Sequence, residues 1–377
     1  MKKVLILGAG EMQIPVIQKS HELGIFSVVA DYDAGAPGFI YADEKLLISS
    51  IDLHALLDYS KRECIDGILT TSDYPVNVVA VIAKELGLSA MDTKTAEICT
   101  NKYLQRNLFF SSGINTPFFK LCRHEEDLSG LTDFPYIVKP IDSSASRGVF
   151  KVNNVNELHV AFQQALTFSR DAKVLVESFI EGREFSVETF TQDNVTNIIA
   201  LTEKLVIGEE YGAFVEDTHI QPAHLTEVEY AMICSEVQKA IEIIGLNNSP
   251  SHTEVKLNAE GAHIIEIACR LGGDYITSDL VPLSTGIDML GNLIKISLGK
   301  KIDVTPHYHK CSCVQFLNTN NYQRCADFIN TGSPAIVRFE KKSYADKMIK
   351  NSLDRLGYII LQTESRQEMD EILKRIK

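Results

Sequence analysis

Short β-branched apolar runs and helical stretches alternate over the first ninety residues. KKVLILGAG (residues 2–10) reads as a buried strand ending in a glycine turn, residues 11–23 as a helix and FSVVADYD (26–33) as a second strand. Residues 53–61 form a further helix and DGILTTSD (66–73) a third strand. Alternation at this spacing predicts a parallel sheet with helices on both faces. After Asn101 the pattern changes. A helix at 102–112 leads through GINTP to the strands PYIVKP, GVFKV, KVLVESFI, REFSVETF and TNIIALTEK, with a helix at 155–169 between the second and third. This predicts a small α+β unit followed by a separate antiparallel sheet. Residues 208–224 show no regular period and read as a long loop, and loops of that length in compact domains are usually functional. Residues 227–245 are an amphipathic helix. Beyond about Gly299 come short strands and two helices, the last at 364–377.

The stretch SHTEVKLNAEGAHIIEIACRLGGD (251–274) reads as a hairpin. With Gly261 in a three-residue loop at 259–261, residues whose numbers sum to 520 lie opposite one another, pairing Glu254 with Glu266. At the roughly 5 Å between opposed Cβ atoms and an effective dielectric of about 20, two bare charges repel by about 3 kcal/mol. The strand pattern alone leaves open what offsets that cost.

Two further segments suit a nucleotide. In PYIVKPIDSSASRGVFKV, Lys139 ends a strand and a Ser/Gly-rich turn from Ser143 through Ser144 and Ser146 to Gly148 follows, so close backbone N–H groups, hydroxyls and a lysine could meet a polyphosphate. The turn is not a P-loop, because no G-x-x-x-x-G-K-[ST] occurs. In VLVESFIEGREFSVE, a strand ends at Glu177 and an apolar linker of Ser178, Phe179 and Ile180 leaves backbone groups free for an adenine edge, while Glu184 could accept both ribose hydroxyls.

A formal net charge of −13 over 377 residues argues against nucleic acid as the main partner, though not against phosphates in a local basic cleft. No segment approaches the ~18 uninterrupted apolar residues of a membrane span, and the apolar run at the N-terminus is broken at once by glycines. The expected location is cytoplasmic, and the eight scattered cysteines read as reduced thiols. His307, His309, Cys311 and Cys313 alternate as on one strand face, where an ordinary strand is the simpler reading than zinc. Gly8-Ala9-Gly10 with Asp31 suggests a dinucleotide fold, but Gln13 stands where the fingerprint needs its third glycine, so no nicotinamide is expected.

Taken in order, GAG with PGFIYADE, NKYLQRNLFFSSGINTP, YIVKP, DSSASRGV, VESFIEGREFSVE and TEVKLNAEGAHIIEIACRLGGD resemble the ATP-grasp superfamily of carboxylate–amine ligases over roughly residues 1–300. The resemblance implies an α/β and α+β architecture. It would comprise a Rossmann-like domain at 1–95, an ATP-grasp domain at 96–300 with a lid at about 118–180, and a small C-terminal α+β domain at 301–377. It also implies that Lys102, Lys139 and Lys204 touch the phosphates of ATP and that the Ser143–Gly148 turn closes over them. Glu177 with the Phe179 and Ile180 backbone would hold adenine, and Glu184 the ribose. Glu254 and Glu266 would bind Mg²⁺, with Mn²⁺ as a substitute, and Arg270 would neutralise the transferred phosphoryl group. Many members carry a third metal ligand, commonly Asn, where this chain has Ala268, which cannot coordinate.

The activity implied is ligation of a small carboxylate, an amino acid first among candidates, to an amine through an acyl phosphate. Residues 120–180 and 208–224 would be the lid and ordered loop that shield that intermediate. Gly272 and Gly273 match the family's substrate end, His252 is a candidate to line the same cavity as Glu254, and His219, in the long loop, is a candidate to meet substrate on closure. The alternatives are a purine-pathway carboxylase or formyl-transfer ligase, which would need extra basic residues for a ribotide, and a nucleotide-binding protein without turnover. A homodimer is left open.

Overall fold

The computed structural model describes residues 1–143, 147–209, 214–344, 349 and 351–377. Three sheets organise the chain. The first is parallel, in the order β3-β2-β1-β4, from β1 (Lys3–Leu7), β2 (Phe26–Ala30), β3 (Glu44–Leu46) and β4 (Gly67–Thr70). The alternating pattern anticipated three of these strands; β3 is three residues long with no buried residue, too short to show a period. Asp31, just past β2, turns back to accept the Ala9 and Asp33 N–H groups, so its carboxylate braces the glycine turn.

The second sheet is antiparallel, in the order β5-β8-β6-β7, from β5 (Phe119–Cys122), β6 (Tyr136–Pro140), β7 (Phe150–Val152) and β8 (Val174–Ser178). The helix Val155–Leu166 covers one face, burying Leu158, Ala161, Phe162 and Ala165. Asn154 caps it by accepting the Glu157 N–H, as its side chain and position dictate.

The third sheet has eight strands in the order β13-β12-β9-β10-β11-β14-β16-β15. They are β9 (Arg183–Gln192), β10 (Val195–Ile207), β11 (Val215–Gln221), β12 (Ser249–Asn258), β13 (Gly261–Ala268), β14 (Cys311–Phe316), β15 (Ile336–Lys341) and β16 (Gly357–Thr363). Odd-numbered Phe185, Val187, Leu201, Val255 and Leu257 point away from the cleft into one core that continues to Leu5, Leu7 and Val28 of the first sheet. Glu184, Ser186 and Glu188 of β9, Thr202 and Lys204 of β10, and His252, Glu254 and Lys256 of β12 take the opposite face, which is polar along the cleft, while Phe190 and Ala200 belong to a second apolar core.

Two sequence expectations are corrected. The segment 208–224 is not one long loop, because 215–221 is β11, buried almost throughout. Its polar residues find partners instead of solvent: Thr218 donates to the Gln315 side chain at 2.9 Å, and Asp217 accepts from Asn318 at 2.7 Å. Alternation of apolar residues cannot reveal a strand of that kind. The 251–274 hairpin has a two-residue turn, with Asn258 opposite Gly261 at φ +129°. A bulge at Ile265 then restores the register, so Glu254 still faces Glu266. The strands after residue 300 extend the eight-stranded sheet. His307 and His309 are exposed and precede β14, while Cys311 and Cys313 are buried in it. Among the described residues no helix is long and apolar enough to cross a membrane.

Candidate active site

The four-stranded antiparallel sheet and the polar face of the eight-stranded sheet enclose a cleft of about 360 Å³. Register brings its charges together. Glu184 on β9 pairs with Lys204 on β10 and Lys256 on β12, and Glu254 on β12 pairs with Glu266 on β13. Lys204 Nζ sits between three carboxylates, 2.7 Å from Glu216, 3.0 Å from Glu254 and 3.2 Å from Glu184. Burial opposes its charge, but Glu216, Glu254 and Glu184 outweigh burial and raise it well above the usual lysine range. Lys204 in turn holds Glu254 far below the usual carboxylate range. Burial, with Glu254 and Glu216 adding to it, lifts Glu184 despite Lys204.

Lys102 opens the helix Lys102–Ser111, which Asn101 caps, and reaches Glu266 at 2.7 Å and the Ser143 carbonyl at 3.0 Å. Burial works against its ammonium, yet Glu266, Asp73 and Glu254 raise it. Lys139, at the end of β6, is pulled below its usual range by burial, although Glu177 lies 2.6 Å away. Glu177 accepts from Arg106 Nε through its other oxygen, at 2.5 Å. Burial would raise that carboxyl, but Arg106 and Lys139 hold it down. Both its oxygens are therefore committed, and its side chain places Lys139. Arg106 also donates to the Ile264 and Ile265 carbonyls, which ties helix 102–111 to the bulged hairpin.

The linker after β8 lies at one end of the cleft. Ser178 Oγ accepts the Phe118 N–H and the Phe179 N–H donates to the Pro135 carbonyl, while the Ile180 N–H has no protein acceptor among the described residues. Phe179 carries Lys151 Nζ 3.7 Å and Lys256 Nζ 4.8 Å from its ring centre and stands 6.3 Å from Phe214. An aromatic face flanked by cations suits a flat base whose phosphates extend toward lysines. Ser143 lines the cleft. Gly148 has φ +75°, and a Cβ there would stand 2.8 Å from the Phe168 ring, so a side chain would break this turn. Ser144 and Ser146 lie outside the described residues.

The other end holds Arg270, His252, Gly273, Asp274 and His219. Arg270 makes a fork to Asp73, with Nε 2.7 Å from Oδ1 and Nη2 3.1 Å from Oδ2, and donates from Nη1 to the Leu271 carbonyl. Burial disfavours its charge, but Asp73 more than compensates. His252 Nδ1 is 2.5 Å from Glu188, and although burial lowers it, Glu188 raises it to about 9. Gly272 gives its N–H to the same carboxylate, and a Cβ there would fall 2.7 Å from His252, so it packs behind the cleft wall. His219 is fully buried on β11, its ring nitrogens make no hydrogen bond among the described residues, and burial pushes it down to about 3 although Glu216 lies 3.8 Å from Nε2.

A pH prediction follows from His219. Its folded pKa lies below the ordinary 6.5, so the neutral ring supports the fold above pH 6.5, and that support is lost as pH falls toward about 3. Between those limits the thermal midpoint of the wild-type protein should fall more steeply with acid than that of His219→Gln, as differential scanning fluorimetry would show.

Sequence reasoning missed Arg106, Asp73, Glu188 and Arg355. Glu188 was legible, since it shares parity with Glu184 on β9. The others meet the site only through tertiary contact: Arg355 reaches Asp274 at 2.8 Å and the Glu216 carbonyl at 2.9 Å from beyond residue 350.

Glu254 and Glu266 offer oxygen donors only, on paired strands, which suits Mg²⁺ shared with phosphate oxygens. Ala268 pairs with His252 beside them and adds no donor. Among the described residues no group of three or more His, Cys, Asp or Glu side chains could hold a metal alone, so the fit is to a cation completed by ligand oxygens.

Lysines above paired carboxylates, between two sheets, are the side chains whose charges suit a metal-bound polyphosphate. Residues 132–279 match the family model of the ATP-grasp domain, and the chain carries that domain within the ATP-grasp fold. Uncharacterized protein y4rH of Sinorhizobium fredii is 25% identical over 361 residues, covering 89% of this chain and 73% of that protein. The formate-dependent phosphoribosylglycinamide formyltransferase of Sulfurisphaera tokodaii is 28% identical over 198 residues, half of either chain. The solved L-amino acid ligase of Bacillus licheniformis superposes with a TM-score of 0.81 at 21% identity, covering 100% of this chain and 98% of that one.

Proposed function

We propose that this chain is an ATP- and Mg²⁺-dependent ligase that activates a small carboxylate, an amino acid by preference, as an acyl phosphate and joins it to an amine. The observation that carries the reading is the pairing of Glu254 with Glu266 on the floor of a cleft whose walls present Lys102, Lys139 and Lys204. The mechanism has two steps. A substrate carboxylate oxygen attacks the γ-phosphorus, the bond to the bridging oxygen of ADP breaks, and an acyl phosphate forms. An amine nitrogen then attacks the acyl carbon, the C–N bond forms, and phosphate leaves while the nitrogen sheds its extra protons.

Glu254 and Glu266 would hold Mg²⁺, which when bound would supply charge neutralisation for the transfer. Lys102, Lys139 and Lys204 would spread the remaining phosphate charge, and the linker 178–180 would seat adenine. Three of the five N–H groups of Arg270 are fixed by Asp73 and Leu271, which leaves one on each terminal nitrogen for the transferred group. The antiparallel sheet above the cleft would keep water from the acyl phosphate.

Charge balance favours an amino acid over a ribotide. At the substrate end Arg270 is matched by Asp73 and His252 by Glu188, and Arg355 is shared between Asp274 and Glu216. Among the described residues this leaves no surplus of cations for a phosphate dianion. The relative named as a formyltransferase keeps that activity as the second reading. Incubation with Mg·ATP and pools of amino acids should give amino-acid-dependent ADP and phosphate. Stimulation confined to formate or bicarbonate with a ribotide would favour the second reading, and tight ATP binding without turnover would defeat both.

A further inference from the structure

The turn between β4 and the helix Val76–Leu86 brings the first sheet into the site through two consecutive residues. Asp73 makes both fork contacts to Arg270. Tyr74 faces the antiparallel sheet, where its hydroxyl accepts from Arg147 Nη2. The Arg170 and Arg147 guanidinium groups lie 4.9 Å and 5.7 Å from its ring centre. Arg170 is itself anchored, donating from Nη2 to the Asp142 carbonyl at 3.1 Å and from its backbone N–H to the Asp142 carboxylate at 3.0 Å. Asp142 precedes the Ser/Gly-rich turn expected to meet the phosphates, and Arg147 lies within it. One turn thus contacts Arg270 with one residue and the antiparallel sheet with the next.

We propose that Asp73 and Tyr74 act as a positioning pair that ties the seating of the antiparallel sheet over ATP to the aim of Arg270. The inference rests on the ligase reading for what Arg270 does, but the contacts that carry it are independent of the substrate. Asp73 occupies Nε and one N–H of Nη2, so the remaining N–H groups of Arg270 point where the fork directs them. The two-point fork needs both oxygens of a carboxylate, and although burial pushes Asp73 up, Arg270 holds it below the usual carboxylate range. A tyrosine suits its own position because its ring takes two guanidinium faces and its hydroxyl takes an N–H. When the sheet seats on nucleotide, Arg147 and Arg170 grip Tyr74, and the shared backbone transmits that restraint to Asp73.

The test separates positioning from simple structural support. Asp73→Asn should lower kcat for ADP formation by about 10–100-fold, the range found when an orienting partner is lost, while KM for ATP changes less than about threefold. A residue that only stabilised the fold would lower apparent kcat in proportion to the folded fraction and leave KM alone. The kcat is therefore normalised to folded protein measured by circular dichroism, and a normalised kcat equal to wild type would overturn the positioning role. Tyr74→Ala should weaken Mg·ATP binding by about tenfold in titration calorimetry, with Tyr74→Phe between it and wild type. The double variant should lose no more kcat than the worse single variant, because both act through one turn. Unchanged kcat in Asp73→Asn, unchanged Mg·ATP affinity in Tyr74→Ala, or fully multiplicative losses would each overturn the proposal. If Asp73→Asn does not fold, Asp73→Glu replaces it, since the longer side chain keeps the charge and shifts the fork. Calorimetry needs no turnover, so a wild-type protein without ligase activity would sink the ligase reading while still leaving the Tyr74 contact to be decided.

Discussion

Glu266→Gln should reduce ADP formation by at least about a thousandfold while leaving adenine nucleotide bound. The amide is isosteric but supplies one neutral oxygen, so a divalent cation would lose half of the carboxylate pair that register places together. Lys102, 2.7 Å from Glu266, would also lose its ion-pair partner beside the phosphates. The adenine contacts lie elsewhere, on the linker 178–180 and around Phe179, so binding should persist in a nucleotide titration. The chain has no tryptophan, so calorimetry or a labelled nucleotide is the suitable readout. Equal loss of fold and of nucleotide binding would count against the assignment.

Lys204→Met should cost both stability and turnover. Its side chain is 2% exposed and shared by Glu184, Glu216 and Glu254. Removing one member of a buried ion pair typically costs about 3–5 kcal/mol, because the partners keep their charge without compensation. Here three carboxylates would face one another across β9, β11 and β12. The thermal midpoint should fall clearly, and added Mg²⁺ should recover part of the loss, since a divalent cation can take the place of the ammonium among the carboxylates. A midpoint equal to wild type would show that Lys204 is not the cation holding these strands in register.

Much of this site was legible in the sequence because it is built on strands. Period-two alternation puts Glu184 and Glu254 on one face of their strands, and the turn residues between 258 and 261 put Glu266 opposite. The predicted three-residue turn was one residue too long, yet the pair survived because the bulge at Ile265 supplies the missing residue. Lys139, Ser143 and the linker after Glu177 were also readable, since each lies within a few residues of a strand end. Strand β11 was not, because its buried positions include Asp217, Thr218, His219 and Gln221 beside Val215 and Ile220, and the environment of the polar ones is made by neighbouring strands rather than by their own hydrophobicity. Glu216, quoted only as part of a loop, thereby became a partner of Lys204. Asp73, Arg106 and Arg355 lie 197, 71 and 81 residues from partners they hold, and no local pattern encodes such pairings.

The central claim is that Glu254 and Glu266 grip a divalent cation together with the phosphates of a nucleotide. Electron paramagnetic resonance of Mn²⁺, titrated into the protein with a non-hydrolysable ATP analogue, tests it directly. The account predicts that free Mn²⁺ signal is quenched by the wild-type complex beyond what the analogue alone achieves, and that Glu254→Gln and Glu266→Gln each restore most of it. Identical quenching by wild type and both variants would contradict the account, because the cation would then be held elsewhere.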